Sequence, residues 1–126
     1  MRKLYPSVYL INDNAITDGT GSNFLITRRS GNVLFTTKSD ISAELDAIHD
    51  KGPVSHMLVG DRHHVSTNTV KLAKALKQPL TASEIEAKVL AKKGLRVANA
   101  LPLSEHKLAS NLVALPTPGH TPGAFS

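Results

Sequence analysis

Residues 111–123 read NLVALPTPGHTPG, and this stretch decides the fold. Its first part, Asn111 to Leu115, is a short apolar run of strand character. Its second part, Thr117-Pro118-Gly119-His120-Thr121-Pro122-Gly123, is a turn of prolines and glycines around one histidine. Proline fixes φ and glycine admits backbone angles closed to other residues, so such a turn holds the chain to one course. An imidazole carried there is held in place before any ligand arrives. Strand ends in α/β sheets are where sites are usually built. Zinc needs several N or O donors converging at about 2.0–2.2 Å. His120 is therefore a candidate metal ligand.

Upstream, histidine is again concentrated behind an apolar strand. Val54 to Val59 (VSHMLV) reads as a buried strand, and Asp61-Arg62-His63-His64 follows it. A turn at a strand end aims side chains i and i+2 at the same point, and a distant loop such as that of His120 supplies a third donor. His63 and His64 are neighbours, so a regular strand or helix would point them apart. In a loop both can reach one cluster, or one stays in solvent. The candidate metal ligands are Asp61, His63, His64 and His120. The chain has no cysteine, which excludes disulfides, thiolate metal sites and a Cys nucleophile. His49, His56 and His106 read as surface or core histidines, and Asp13 and Asp18 as turn-shaping residues.

Working outward, Val8 to Ile11 is a short strand. Asn23 to Arg28 and Asn32 to Thr37 are two more, joined by Arg29-Ser30-Gly31 in a hairpin. Ser39 and Asp40 open a helix whose Ile41, Leu45 and Ile48 recur at helical spacing, and Gly52-Pro53 ends it. A second helix runs from about Thr67 to Gln78, with Lys71, Lys74 and Lys77 on a solvated face, and Pro79 breaks it. Leu80-Thr81-Ala82 is a short strand. Ser83 followed by Glu86 resembles a capping box, and that helix runs to Lys93 before Gly94. Strands and a hairpin come first, then helix and strand alternate. This is a layered α/β order.

With 126 residues, 40% hydrophobic and 20% charged, the chain reads as one ordinary globular domain over residues 1–126. Three Phe, two Tyr and no Trp leave the core to Leu, Val, Ile and Ala. The net charge of +5 is dispersed and not interleaved with aromatics, which argues for a solvated basic surface and against nucleic acid as partner. No apolar run is long enough to span a membrane. The N-terminal MRKLYPSVYLIND lacks a long apolar stretch and reads as mature chain, so a cytoplasmic location is the default.

The TPGHTPG segment at 117–123 resembles that of the metallo-β-lactamase superfamily, where it follows a strand and its His is a zinc ligand. The opening strands, Gly31-Asn32-Val33-Leu34-Phe35, the helix ending at Gly52 and the strand Val54 to Val59 resemble the same family in order. The fold implied is an α/β, αββα metallo-β-lactamase-type sandwich, of which residues 1–126 are the N-terminal part. The C-terminal part, with its own metal ligands, is expected to be absent beyond Ser126. The activity implied is zinc-dependent hydrolysis of an ester, thioester, lactam or phosphoester in a small-molecule substrate.

At the family's His-x-His-x-Asp-His motif this sequence departs, and two alignments are open. Anchored on the strand end, Asp61 takes the first His position, His63 the second, and Val65 and Ser66 fall on the Asp and the last His. Anchored on the following Val, Val59 takes the first position, Asp61 the second, and His63 and His64 fall on the Asp and the last His. The alternative to a hydrolase is a catalytically inactive relative acting as a binding or structural subunit. An open sheet edge is expected to favour self-association or a covering partner.

Overall fold

Gly31 makes the first decisive turn. Its φ is +113°, and a Cβ there would meet the Ser55 Cβ at 2.5 Å, so only glycine lets the hairpin pass the neighbouring strand. On either side of this hairpin lie β3 (Ser22–Ile26) and β4 (Asn32–Phe35), paired antiparallel with Leu25 opposite Leu34. Side chains of β3 alternate between half-buried and buried, as in a strand with one face in the core. The first three residues of β4 are all buried, as in a strand covered on both faces.

The computed structural model describes residues 1–13, 21–37, 39–94, 97, 99–102, 104–109, 112–117, 121, 122 and 124. Ahead of the hairpin stand β1 (Arg2–Tyr5) and β2 (Val8–Asp13), and after it β5 (Val54–Leu58), β6 (Leu80–Ser83) and β7 (Asn99–Leu101). These form one seven-stranded sheet in the sequential order β1-β2-β3-β4-β5-β6-β7. The pairs up to β4 are antiparallel and those from β4 onward are parallel. The change has a simple cause: short turns can only reverse the chain, whereas parallel strands need a long crossover. The crossovers are α1 (Leu45–Asp50), α2 (Thr67–Leu76) and α3 (Glu84–Lys92). Each gives one deeply buried aliphatic residue, Ile48, Leu72 and Leu90, to a core shared with Leu25, Leu34 and Met57. A separate antiparallel pair follows, β8 (His106–Ala109) with β9 (Leu112–Ala114).

The strands and helices expected from sequence are present, with some differences. β1, β7 and β8 are not expected from sequence: all four side chains of β1 are exposed and RKLY carries no alternation, β7 is three residues long and mostly exposed, and β8 begins on the polar pair His106-Lys107. The first helix begins later: Asp40 Oδ1 accepts the Ser42 N–H at 2.9 Å, and a 3₁₀ turn at Ser42–Glu44 precedes α1. The second helix stops at Leu76, because Lys77 turns into the left-handed region at φ 54°. No helix among the described residues is long and apolar enough to cross a membrane.

Candidate metal loop at the end of the fifth strand

β5 ends at Leu58, and Val59 continues into the core at 2% exposure. The chain then turns outward at Asp61. Its side chain caps a single 3₁₀ turn over Arg62–His64, with Oδ1 accepting the His63 N–H at 2.8 Å. Asp61 is 5% exposed, so this carboxylate is built into the loop and faces little solvent. The two histidines part, as neighbours in a tight turn must. His63 is exposed. His64 directs Nδ1 inward to 4.0 Å from Asp61 Oδ1, and this buried atom has no hydrogen-bond partner among the described residues. A buried polar atom without a partner is costly, and such exceptions often mark a site for an ion or water.

The loop's exit is fixed by helix capping. Ser66 Oγ accepts the Asn68 N–H at 3.2 Å, and Thr69 Oγ1 accepts the Ser66 N–H at 3.1 Å, closing a capping box at the start of α2. The Thr69 hydroxyl faces the Thr37 carbonyl at 3.1 Å and the His64 carbonyl at 3.4 Å. Thr37 belongs in turn to a buried polar cluster centred on Asn23. Asn23 Oδ1 accepts from Thr36 Oγ1 and the Thr37 N–H at 2.8 Å each, and its Nδ2 donates to Asn12 Oδ1 at 2.7 Å and Ser39 Oγ at 2.6 Å. The ends of β2, β3 and β4 are thereby tied to the segment that carries His64.

The loop's middle is held by Glu86, which is fully buried on α3. Its Oε1 accepts the Arg62 backbone N–H at 2.9 Å, and its Oε2 accepts Arg62 Nη2 at 2.7 Å. Burial pushes the Glu86 carboxyl up, but the Arg62 guanidinium, a nearby Thr121 hydroxyl, the Arg62 N–H and the Arg62 charge outweigh it and hold the group at about 2. Thr121 Oγ1 makes no hydrogen bond among the described residues, so its help is a near approach and not a bond. Glu86 bonding in turn raises the pKa of Arg62.

The folded value lies below the ordinary 4.5. The stability this carboxylate contributes is therefore complete above about pH 4.5 and is lost as pH falls toward 2. The urea midpoint is expected to fall across that window in the parent chain, and to fall less in Glu86→Gln, which has no carboxylate to protonate. Two parallel acid profiles would contradict the assignment.

Of the sequence-derived ligands, Asp61 and His64 are thus brought together and His63 points outward. His120 lies outside the described residues. Among the described residues no group of three or more His, Asp or Glu converges as a metal cluster would. Asp61 and His64 nonetheless fit as the start of one. They are the O and N donors zinc accepts, and two donors on a tetrahedral ion stand about 3.4 Å apart, a little closer than their present 4.0 Å. In either alignment of the motif, Val59 and Val65 serve the core and Ser66 serves the helix cap, so none of the three is a ligand.

Arg62 and Glu86 were not anticipated as site residues. The capping expectation is half met: Ser83 Oγ accepts the Glu86 N–H at 3.2 Å, but the Glu86 carboxylate goes to Arg62. The available signal was position, since Glu86 stands four residues before Leu90 on the face that α3 buries.

A meander running into three parallel crossovers, with a histidine-bearing turn at the end of β5, is the architecture of the metallo-β-lactamase fold. Three solved structures illustrate the likeness. The chain is similar to the class B3 di-zinc metallo-β-lactamase LRA-12 from an Alaskan soil metagenome, at TM-score 0.73 and 19% identity, over 98% of this chain and 54% of that one. It is similar to the β-lactamase from Chitinophaga pinensis at TM-score 0.71 and 19% identity, over 98% and 54%. It is similar to the DIM-1 metallo-β-lactamase exposed to ceftazidime at TM-score 0.79 and 16% identity, over 98% and 62%. The chain thus spans between about half and three fifths of the length of these proteins. The sequence matches no protein-family model and no curated protein.

Proposed function

We propose that this chain carries a metal-dependent hydrolase site on the metallo-β-lactamase fold, with Asp61, His64 and His120 holding one zinc ion and His63 at its rim. The observation that carries the reading is the buried Nδ1 of His64, without a hydrogen-bond partner among the described residues and facing the Asp61 carboxylate at 4.0 Å. Asp61 keeps its place through the His63 N–H, and His64 through the backbone turn that Asp61 caps. Thr121, the residue after His120, approaches the carboxylate that also holds Arg62, which lies between Asp61 and His63. That is the arrangement expected if the two ligand segments face one another. Zinc, when held, supplies a Lewis acid and a nucleophile at neutral pH. The chain's own residues orient it; none of the described ones stands out as a separate general base.

The substrate class is an ester, thioester, lactam or phosphoester. A lactam is the first to try, since similar folds belong to β-lactamases, one of them studied with ceftazidime. The proposal keeps the cytoplasmic setting expected from sequence. Zinc-loaded chain is expected to hydrolyse a chromogenic lactam or thioester, with the rate removed by chelation and restored by zinc. Zinc-loaded chain that turns over none of the four classes would defeat the hydrolase reading.

A second reading has its own support. Val65 and Ser66 stand where the family carries ligands if the strand end anchors the motif, and here both have structural work. A relative with that loss would bind a partner and not turn over substrate. The edge strand β1 offers Leu4 at 39% and Tyr5 at 69% exposure, a surface fit for another strand or chain. On this reading, light scattering on the purified chain is expected to give a mass above one chain. A monomer at all concentrations would count against it.

A further inference from the structure

Glu86 touches more than a structural arginine. One of its oxygens takes the backbone N–H of Arg62, and both face the guanidinium, with Nε at 3.2 Å from each. Arg62 lies between Asp61 and His63, so this one carboxylate fixes both the backbone and the side chain of the loop's central residue. Thr121 is 3% exposed, its hydroxyl is buried without a hydrogen bond among the described residues, and it lies near enough to help keep Glu86 ionised. Thr121 belongs to the second histidine-bearing segment, which is itself closed by the Thr117 N–H on the Ala124 carbonyl at 2.8 Å. A single fully buried side chain therefore contacts one ligand segment and neighbours the other, from a helix that carries no ligand.

We infer that Glu86 is a positioning residue, the anchor common to the 61–64 loop and the 117–124 segment, and that it sets the distance across which a metal ion is held. The inference rests on the metal-site reading above. Its physical basis is that a metal site binds tightly only when its donors are pre-positioned, and outer partners that orient them are worth about 10–100-fold in affinity. Arg62 is suited to the task because its planar fork meets the carboxylate with two parallel bonds, which fixes orientation as well as distance.

The test uses Co²⁺ as the probe, because its visible d–d absorption reports ligand geometry. The full chain, Glu86→Gln and Thr121→Val are titrated, with circular dichroism to verify the fold. Glu86→Gln is expected to keep its fold, bind Co²⁺ about 10–100-fold more weakly and show a changed d–d spectrum. Thr121→Val is expected to leave the Arg62 contact intact and still change the spectrum. If the parent chain binds Co²⁺ and a folded Glu86→Gln binds it equally with the same spectrum, the positioning role is overturned while the metal site stands. If only Thr121→Val is without effect, the shared-anchor form is overturned. If the parent chain binds no Co²⁺, the metal-site reading itself fails. Should Glu86→Gln not fold, Arg62→Lys, which keeps charge and loses the fork, is read in the same way.

Discussion

Arg62→Met is expected to destabilise the fold by about 3 kcal/mol at neutral pH, because it strands the fully buried Glu86 carboxylate. Breaking a buried pair by removing one partner costs about 3–5 kcal/mol, and the lower end applies because Arg62 keeps 22% of its side chain in contact with solvent that screens the pair. A typical domain has only about 5–15 kcal/mol in total. The melting temperature should therefore drop by roughly 10 °C. The Arg62 backbone N–H still reaches Glu86 in this variant, so the carboxylate is not wholly unpaired. The control is Arg62→Met combined with Glu86→Leu. Replacing both charges by apolar groups is often neutral, so the double variant should recover much of the loss. A thermal melt of Arg62→Met within 2–3 °C of the parent would mean that the pair is not buried as described.

Asn23→Ala is expected to cost a similar amount for a different reason. Asn23 is fully buried and serves both as acceptor and as donor between the ends of β2, β3 and β4. Its removal leaves the Thr37 N–H without its partner, and an orphaned buried donor costs about 1–3 kcal/mol. The vacated space adds to this, for a total of about 3 kcal/mol. Asn23→Asp should be no better, since a carboxylate cannot donate to Asn12 Oδ1 at 2.7 Å. Because the Thr37 carbonyl receives the Thr69 hydroxyl, and Thr69 closes the cap beside His64, the damage should reach the candidate loop. Urea unfolding measures the first effect and amide hydrogen exchange at His63 and His64 the second. A stable Asn23→Ala with unchanged exchange would sever this link between the sheet and the loop.

The architecture is legible in the sequence wherever a local signal coincides with a structural need. Gly31 is such a place: a hairpin glycine by sequence, and by structure a residue pressed against Ser55. Gly52 after α1 and Ser83 before α3 are others. The alternation of helix and strand after residue 39 dictates parallel pairing through the need for crossovers. β1 escapes notice because an exposed edge strand carries no apolar periodicity to read. The candidate site is only half legible. Asp61 and the paired histidines stand out by type and position, and TPGHTPG by its resemblance. Which histidine turns inward depends on one 3₁₀ turn and not on spacing, and Glu86 finds its partner 24 residues away. The capping signal at Ser83-x-x-Glu86 is local, and the Arg62 guanidinium wins because it satisfies a carboxylate that water cannot reach.

Zinc per chain, measured on the purified protein beside His64→Ala and His120→Ala, is the direct test of the site. One zinc per chain, lost in both variants while the fold is kept, is the expected result. A parent chain of normal fold that holds no zinc when supplied with it would contradict the metal site, and with it the hydrolase reading.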